Sequence, residues 1–483
     1  MHIWKNTLGN WLRGSDVKAK AMRGSLALSI GAISQRVIRL GRIMVLTRLL
    51  VPEDFGVIAI TTMVVVMMET LTDAGVRVYL IQSKEGNNPS YLNGAWWFQA
   101  IRGIGLFSVS FLVAPFFSFY YQNPTLTDLL RVSFISIIFN GLVSPHVHIL
   151  EREFKFGKWT MLEQLSAVIG TFITVVLAYY IRSVWAIVFG TVVERFIYCL
   201  FSHILYPFFP KLEIDRKSLS DLFKFSKGIL GLSVLNLISR QADIFILGKI
   251  VTPAILGCYF LAMQLTDQVS SVFSSVINPV LLPSFAKMKE NKPILKESLL
   301  SVNNSIATIF IPITVFMAAN SNEIISLFYG SQYKTGGLAL SILSITVFVR
   351  VQTSVLSQAY FGLGLPHLIR QQSLKRTVLI AVLMYPAARF AGLSGAAAVM
   401  LLASVAMFIF QLYNLGGILY FRPIDYFSTW HMGVGLGVLV FIPSVFIFVS
   451  EIDSVIFKSV LSAGVMVIVI IIGCIKMFKT TVQ

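Results

Sequence analysis

Charged side chains are scarce in this chain. Asp, Glu, Lys and Arg make up 13% of 483 residues, while 56% are hydrophobic. A soluble domain carries about a quarter of its residues as charges, so a soluble globular protein is excluded. Cysteine is nearly absent: Cys199, Cys258 and Cys474 stand alone in or near apolar runs. They offer no disulfide framework and no metal spacing, and read as small core hydrophobes. The six histidines are scattered, and His146 and His148 would face opposite sides of a helix, so no metal site is expected. No Walker motif and no catalytic triad occurs, so no catalytic residue and no ATP-driven step is expected. Gly433, Gly435 and Gly437 follow no strand and read as helix-packing positions. No removable signal peptide is expected, because Met1 to Gly24 is basic and polar without an apolar core. Trp4, Leu8, Trp11 and Leu12 either share a face of an interfacial helix or belong to a disordered tail.

Long apolar runs dominate what is present. They recur from Leu26 nearly to the C-terminus, about 14 of spanning length at about 20 residues each. Mean hydropathy is +0.78. The runs lack the period-two alternation of barrel strands. The fold class expected is an all-α polytopic membrane protein. The net charge of +17 would point to nucleic acid in a soluble chain, but basic residues also collect in the cytoplasmic loops of membrane proteins. That second reading fits here, and no nucleic-acid partner is expected. Lys5, Arg13, Lys18, Lys20 and Arg23 place the N-terminus in the cytoplasm. Basic loops then alternate with uncharged or acidic ones, through Arg152–Lys158, Lys211–Lys227, Lys287–Lys296 and Arg370–Arg376, to Lys476 and Lys479. The alternation predicts an even number of spans with both termini cytoplasmic. It is equally satisfied by 12.

Arg39–Gly56 reads RLGRIMVLTRLLVPEDFG and, about two hundred residues later, Arg240–Gly257 reads RQADIFILGKIVTPAILG. Without gaps, Arg39 meets Arg240, Ile43 meets Ile244, Leu46 meets Leu247, Pro52 meets Pro253 and Gly56 meets Gly257. Arg48 meets Lys249, whereas Arg42 meets Asp243. Both segments end one span, turn at proline and begin the next. This internal duplication predicts a basic segment 1–23, a six-helix lobe 24–209, a linker 210–221, a second six-helix lobe 222–420 and two extra helices with a tail in 421–483. Paired lobes around a cavity are a common transporter plan.

Arg36, Arg39 and Arg42 lie in the first apolar run, Leu26–Leu50, about one turn apart. An arginine near a span's centre costs about 2.5–3.5 kcal/mol on the insertion scale, so three mark a polar cavity or transport path. The alternative is that Arg42 snorkels outward while the others pair with acids of the second helix. Gln35 is a neutral donor beside them. Glu69, Asp73 and Arg77 follow at i, i+4, i+8, either a gating or ion-coupling stripe or an internal Asp73–Arg77 salt bridge. In the second lobe, Arg240 and Asp243 occupy the equivalent helix, and Asp267 in the next is a partner for Arg240. Arg42 and Asp243 are candidates for a pair between the lobes. Arg102, Arg131, Glu194, Arg195 and Arg350 read as boundary or pairing residues. Trp96, Trp97, Trp159 and Trp430 read as interfacial anchors.

The run RLLVPEDFGVIAITTMVVVMMETLTDAGVRVYLIQSKE from Arg48 resembles the first hairpin of Wzx-type polysaccharide flippases, within the multidrug/oligosaccharidyl-lipid/polysaccharide superfamily. NGAWWFQ at Asn93, LEREFKFGKW at Leu150, DIFILGKIVTPAILGCYFLAMQL at Asp243 and LFYGSQY at Leu327 are similar to the same family, nearest its colanic acid and capsule exporter branch. The resemblance implies two six-helix lobes forming a V around a central cavity, with two C-terminal helices. It implies export of an undecaprenyl-diphosphate-linked oligosaccharide across the bacterial inner membrane, for O-antigen, capsule or exopolysaccharide. Arg36, Arg39 and Arg42 would then clamp the diphosphate. Membrane lipids and polysaccharide polymerase or assembly proteins would be partners and the protein a monomer. No cofactor is expected, leaving H+ or Na+ coupling open. A multidrug exporter, a peptidoglycan-precursor flippase and a scaffold of a synthase complex are the alternatives.

Overall fold

A computed structural model describes residues 17–73, 75–83, 88–153, 155–211, 216–449, 463–471 and 473, and every regular element among them is helical. Side chains are described from Gly31 onward, except Ala32, Gln82, Phe156, residues 216–232, Val276, Pro279 and residues 445–449. The N-terminal tryptophans and Cys474 fall outside these residues. Hydrocarbon offers no water to an open amide, so a spanning segment closes its hydrogen bonds on itself as a helix.

The elements are α1 (Val17–Leu49), α2 (Pro52–Thr72), α3 (Val76–Gln82), α4 (Pro89–Tyr121), α5 (Thr125–Gly141), α6 (His146–Arg152), α7 (Phe156–Ile181) and α8 (Trp185–Leu205). Next come α9 (Arg216–Ile250), α10 (Pro253–Lys287), α11 (Lys292–Ala319) and α12 (Ser321–Phe328). After a 3-10 turn, Ser331–Gly336, follow α13 (Gly337–Leu363), α14 (Pro366–Leu419), α15 (Pro423–Ser428) and α16 (His431–Val449). Pro52, Pro89, Pro253, Pro293, Pro366 and Pro423 sit in first turns, where the missing amide costs nothing.

Among the described residues seven helices are long and apolar enough to cross a membrane, or up to nine if each of two bent pairs counts as one span. The charged helices α1 and α9 are not among them, so the expected 14 is not reached on this basis. The 54 residues of α14 would extend about 80 Å at 1.5 Å per residue, well over twice the hydrocarbon core. It breaks at Gly392, whose φ of 54° and ψ of −130° suit glycine alone. Arg370, Lys375 and Arg376, expected in a loop, lie on its first arm.

The chain forms two compact units, Met1–Leu237 and Ile238–Gln483, divided within α9. In the first, α1 packs on α7, α7 on α8, α4 on α5 and α5 on α8. In the second, α10 packs on α13, α13 on α14 and α11 on both α13 and α16. Gly433 and Gly437 face α11, near Ala307 and Ile311, while Gly435 faces nothing. The Trp430 indole donates to Asn303 Oδ1 at 3.1 Å and packs among Phe348, Phe408 and Tyr426.

The duplicated turns carry the same geometry. The first helix of each ends at aligned residues, Leu49 and Ile250, and the second begins at Pro52 and Pro253. Leu46 and Leu247 are both buried, and each carbonyl accepts an amide at 2.9 Å, from Leu50 and Val251. Only the first turn has a carboxylate. Asp54 accepts the Val51 amide at 3.3 Å and the Val184 amide at 3.0 Å, joining α2 to the α7–α8 turn.

Asp54→Ala removes both acceptors. The expected loss is about 1–3 kcal/mol at roughly 1 kcal/mol per bond, read as a lower SDS-unfolding midpoint of the solubilised protein. An unchanged midpoint would show that the α2–α8 tie contributes nothing.

Candidate functional site

The arginines of α1 meet their surroundings unequally. Arg42 Nη1 donates to Glu194 Oε2 on α8 at 2.8 Å, with both side chains less than one-fifth exposed. The pair lies inside the first unit, so the Arg42–Asp243 pairing anticipated from the repeat is corrected. Arg36 and Arg39 are half-buried, their Nε atoms have no acceptor, and neither forms an ion pair among the described residues. Acids of the second helix therefore do not neutralise them. The carboxylates near Arg39 come from elsewhere, Glu194 on α8 and Glu163 on α7. Gln35 is half-buried next to Arg36.

Close helix packing sets this arrangement. A Cβ on Gly170 of α7 would lie 2.6 Å from Glu194 Cβ, so only glycine lets α8 approach closely enough for Glu194 to reach Arg42. A Cβ on Gly31 of α1 would strike Thr160 of α7, and Gln164 of α7 donates from Nε2 to the Gly31 carbonyl at 2.5 Å. Small residues at crossings of this kind are the usual route to tight membrane packing.

The stripe expected of Glu69, Asp73 and Arg77 does not form, because the helix stops. Asp73 caps α2, its Oδ1 accepts the Gly75 amide at 2.9 Å, and Gly75 takes φ 64°. This Asx turn re-aims α3 and separates the three side chains. Glu69 accepts from Asn140 Nδ2 at 2.9 Å. Asp73 lies 3.9 Å from Arg102 rather than pairing with Arg77. Arg77 makes a two-point bridge to the buried Glu151, with Nε to Oε2 at 2.8 Å, and covers the Trp159 ring at 5.6 Å. A 62° bend between α5 and α6 accompanies this placement of Glu151.

Trp159 is thus part of the polar cluster, and it also bonds to Tyr198 of α8. The indoles of Trp96 and Trp97 donate to the Leu142 and Lys211 carbonyls at 3.2 and 2.9 Å. Glu163 interacts with Arg39, Arg77 and Arg195. Five guanidiniums, of Arg36, Arg39, Arg42, Arg77 and Arg195, therefore interact in one group with three carboxylates, of Glu151, Glu163 and Glu194, an excess of two positive charges within that set of described residues. Glu163 went unnoticed in the sequence, although a lone acid inside the apolar run 157–181 is the same kind of signal as Arg36.

In the second unit Asp243 is fully buried, accepting the Tyr259 hydroxyl at 2.9 Å and the Ile244 amide at 2.8 Å. Asp267 pairs with Arg350 at 3.3 Å, not with Arg240. Arg240 is exposed and forms no ion pair among the described residues. Arg131 lies 3.7 Å from Asp128 on its own helix.

The Arg42–Glu194 pair generates a test. Glu194→Ala leaves a half-buried guanidinium uncompensated, an expected loss of about 2–4 kcal/mol. The double replacement Arg42→Met with Glu194→Leu is expected to recover most of it. SDS-unfolding midpoints of the wild type and the two variants are compared, and a double variant no better than Glu194→Ala would sink the pairing.

The match to known proteins is consistent across sequence and fold. Lipopolysaccharide biosynthesis protein WzxC of Escherichia coli (strain K12) is 22% identical over 343 residues, 69% of this chain and 68% of that protein. Teichuronic acid biosynthesis protein TuaB of Bacillus subtilis (strain 168) is 20% identical over 338 residues, 70% of each. Succinoglycan biosynthesis transport protein ExoT of Rhizobium meliloti (strain 1021) is 21% identical over 323 residues, 66% of this chain and 65% of that one. The fold is that of the lipid II flippase MurJ in its inward closed conformation, with a TM-score of 0.75, 16% identity, and 95% of this chain and 100% of that chain covered. A multidrug resistance MATE family transporter of the MOP superfamily, inward-facing, gives a TM-score of 0.62 at 15% identity over 80% of this chain and 98% of that one. The family model described as polysaccharide biosynthesis protein matches residues 45–336, more than half of the chain, and the chain belongs to that family.

Proposed function

We propose that this membrane transporter is a flippase for undecaprenyl-diphosphate-linked oligosaccharide repeat units. It carries them across the bacterial inner membrane by alternating access, for assembly of a surface polysaccharide. The observation that carries the reading is the pair Arg36 and Arg39, half-buried with no carboxylate bonded to either among the described residues. A guanidinium keeps its charge in a partly dehydrated site and grips phosphate oxygens two at a time. A diphosphate bonded at both ends carries two negative charges, and among the described residues the cations interacting with Arg39 outnumber the acids. Relatives named for lipopolysaccharide, teichuronic acid and succinoglycan biosynthesis support the cargo class.

In this reading Arg36 and Arg39 hold the diphosphate, Gln35 adds a neutral donor, and Arg42 is held back by Glu194. Glu69, Asp73 and Arg77, with Arg240, Asp243 and Asp267, belong to gating or ion coupling. No cofactor is needed. A proton or sodium gradient, or consumption of the cargo on the far side, supplies the drive. The protein acts as a monomer with both termini cytoplasmic, among membrane lipids and the polymerase that receives the cargo. A multidrug exporter has the same fold, but its usual cationic cargo would be repelled by the excess positive charge. Likeness to the lipid II flippase speaks for the fold and not for that cargo.

Deletion of the gene should cause lipid-linked repeat units to accumulate and surface polysaccharide to disappear. Arg36→Ala and Arg39→Ala should each lower flipping in proteoliposomes about tenfold or more, at roughly 1.5–3 kcal/mol per charged hydrogen bond, with protein abundance unchanged. Full activity of the double variant would remove the clamp. Unaltered surface polysaccharide in a deletion strain lacking other flippases would remove the function.

A further inference from the structure

We infer that the second unit contains its own oxyanion-binding subsite, formed by Arg240 and Arg376 with Arg350 beside them. It deepens the function proposed above and rests on that reading's anionic cargo. Arg240 occupies the position on α9 that aligns with Arg39 on α1. Ser239 Oγ and Thr377 Oγ1 lie 2.7 Å apart in a buried contact that pins α9 to the first arm of α14. Arg240 and Arg376 are the immediate neighbours of those two hydroxyl residues. Arg376 is repelled by both Arg350 and Arg240, so the three cations are gathered rather than dispersed.

The acids at hand are already engaged. Asp243 accepts from Tyr259 and from the Ile244 amide and attracts Arg376 without bonding to it, and Asp267 meets Arg350 through one contact at 3.3 Å. Neither Arg240 nor Arg376 forms an ion pair among the described residues. The Nε atoms of Arg376 and Arg350 are buried without an acceptor. Gathered guanidinium groups with open donors are unfavourable unless an anion completes them. Their planar forks fit a two-oxygen anion. Either the diphosphate of the carrier or a carboxylate on its sugar has that chemistry.

The test uses the full chain in nanodiscs with two probes: undecaprenyl diphosphate, and an undecaprenyl-diphosphate-linked disaccharide containing one glucuronic acid. Arg240→Gln/Arg376→Gln should weaken at least one by about tenfold. Equal weakening of both assigns the subsite to phosphate, and weakening of the disaccharide alone assigns it to the sugar carboxylate. Where the double Gln variant fails to fold, Arg240→Lys/Arg376→Lys keeps the charge and loses the forks, and several-fold weakening is expected. Unchanged affinity for both probes in a folded double variant overturns the subsite, while Arg36→Gln/Arg39→Gln still weakens binding. Failure of the wild-type protein to bind either probe overturns the proposed function as well.

Discussion

The structure turns on the cost of keeping guanidinium charge inside apolar helices. Each arginine placed there must find a carboxylate, a carbonyl, water or a ligand. In the first unit the carboxylates arrive from α6, α7 and α8, and the close approaches of α7 and α8 depend on glycine. Gly170 allows the approach that seats Glu194 on Arg42, and Gly31 allows the approach of α7 to α1. Backbone proximity, set by missing side chains, decides which cations are neutralised and which stay open.

The duplication shows that one backbone register can be satisfied by opposite charges. Helix ends, the buried leucine and the proline start coincide at Leu49 and Ile250, Leu46 and Leu247, Pro52 and Pro253. Yet Arg42 and Asp243, one aligned pair, are met by different partners. Arg42 reaches a carboxylate far along the chain, on α8, whereas Asp243 takes the hydroxyl of Tyr259 on the very next helix, α10. The backbone of the repeat is preserved where packing demands it, and its polar chemistry has diverged. Arg39 and Arg240 are the exception: the same residue type recurs, and neither copy is paired with an acid among the described residues.

What could be read in the sequence follows the range of the interaction. Helical class, the proline-started hairpins and the open arginines depend on local pattern and were legible. The partners were not, because Arg42 and Glu194 are 152 positions apart and Arg77 and Glu151 are 74 apart. The stop after α2 was legible in principle. Asp73 followed two residues later by glycine is an Asx-turn signal, and the i, i+4 spacing of Glu69, Asp73 and Arg77 misled because it presumed an unbroken helix. Arg376 was hidden for a related reason: basic residues near a span end resemble a loop, and only the extent of α14 places them on a helix.

On the proposed function the α1 site must also let go of its cargo. Two arginines with no acid nearby would hold a diphosphate tightly, and conduction requires binding weak enough to leave. Glu163 and Glu194 lie within electrostatic reach of Arg39, so both tax any anion that binds it and offer it an intramolecular substitute. A small shift of α8 that loosened Glu194 from Arg42 would change the charge presented to the cargo without moving the cargo itself. The Arg42–Glu194 pair is in this sense more than scaffolding, because it sets how much of the α1 charge is spent internally. On the proposed function, the same bond that makes Arg42 tolerable in a membrane helix therefore also governs how firmly the α1 arginines hold an anion.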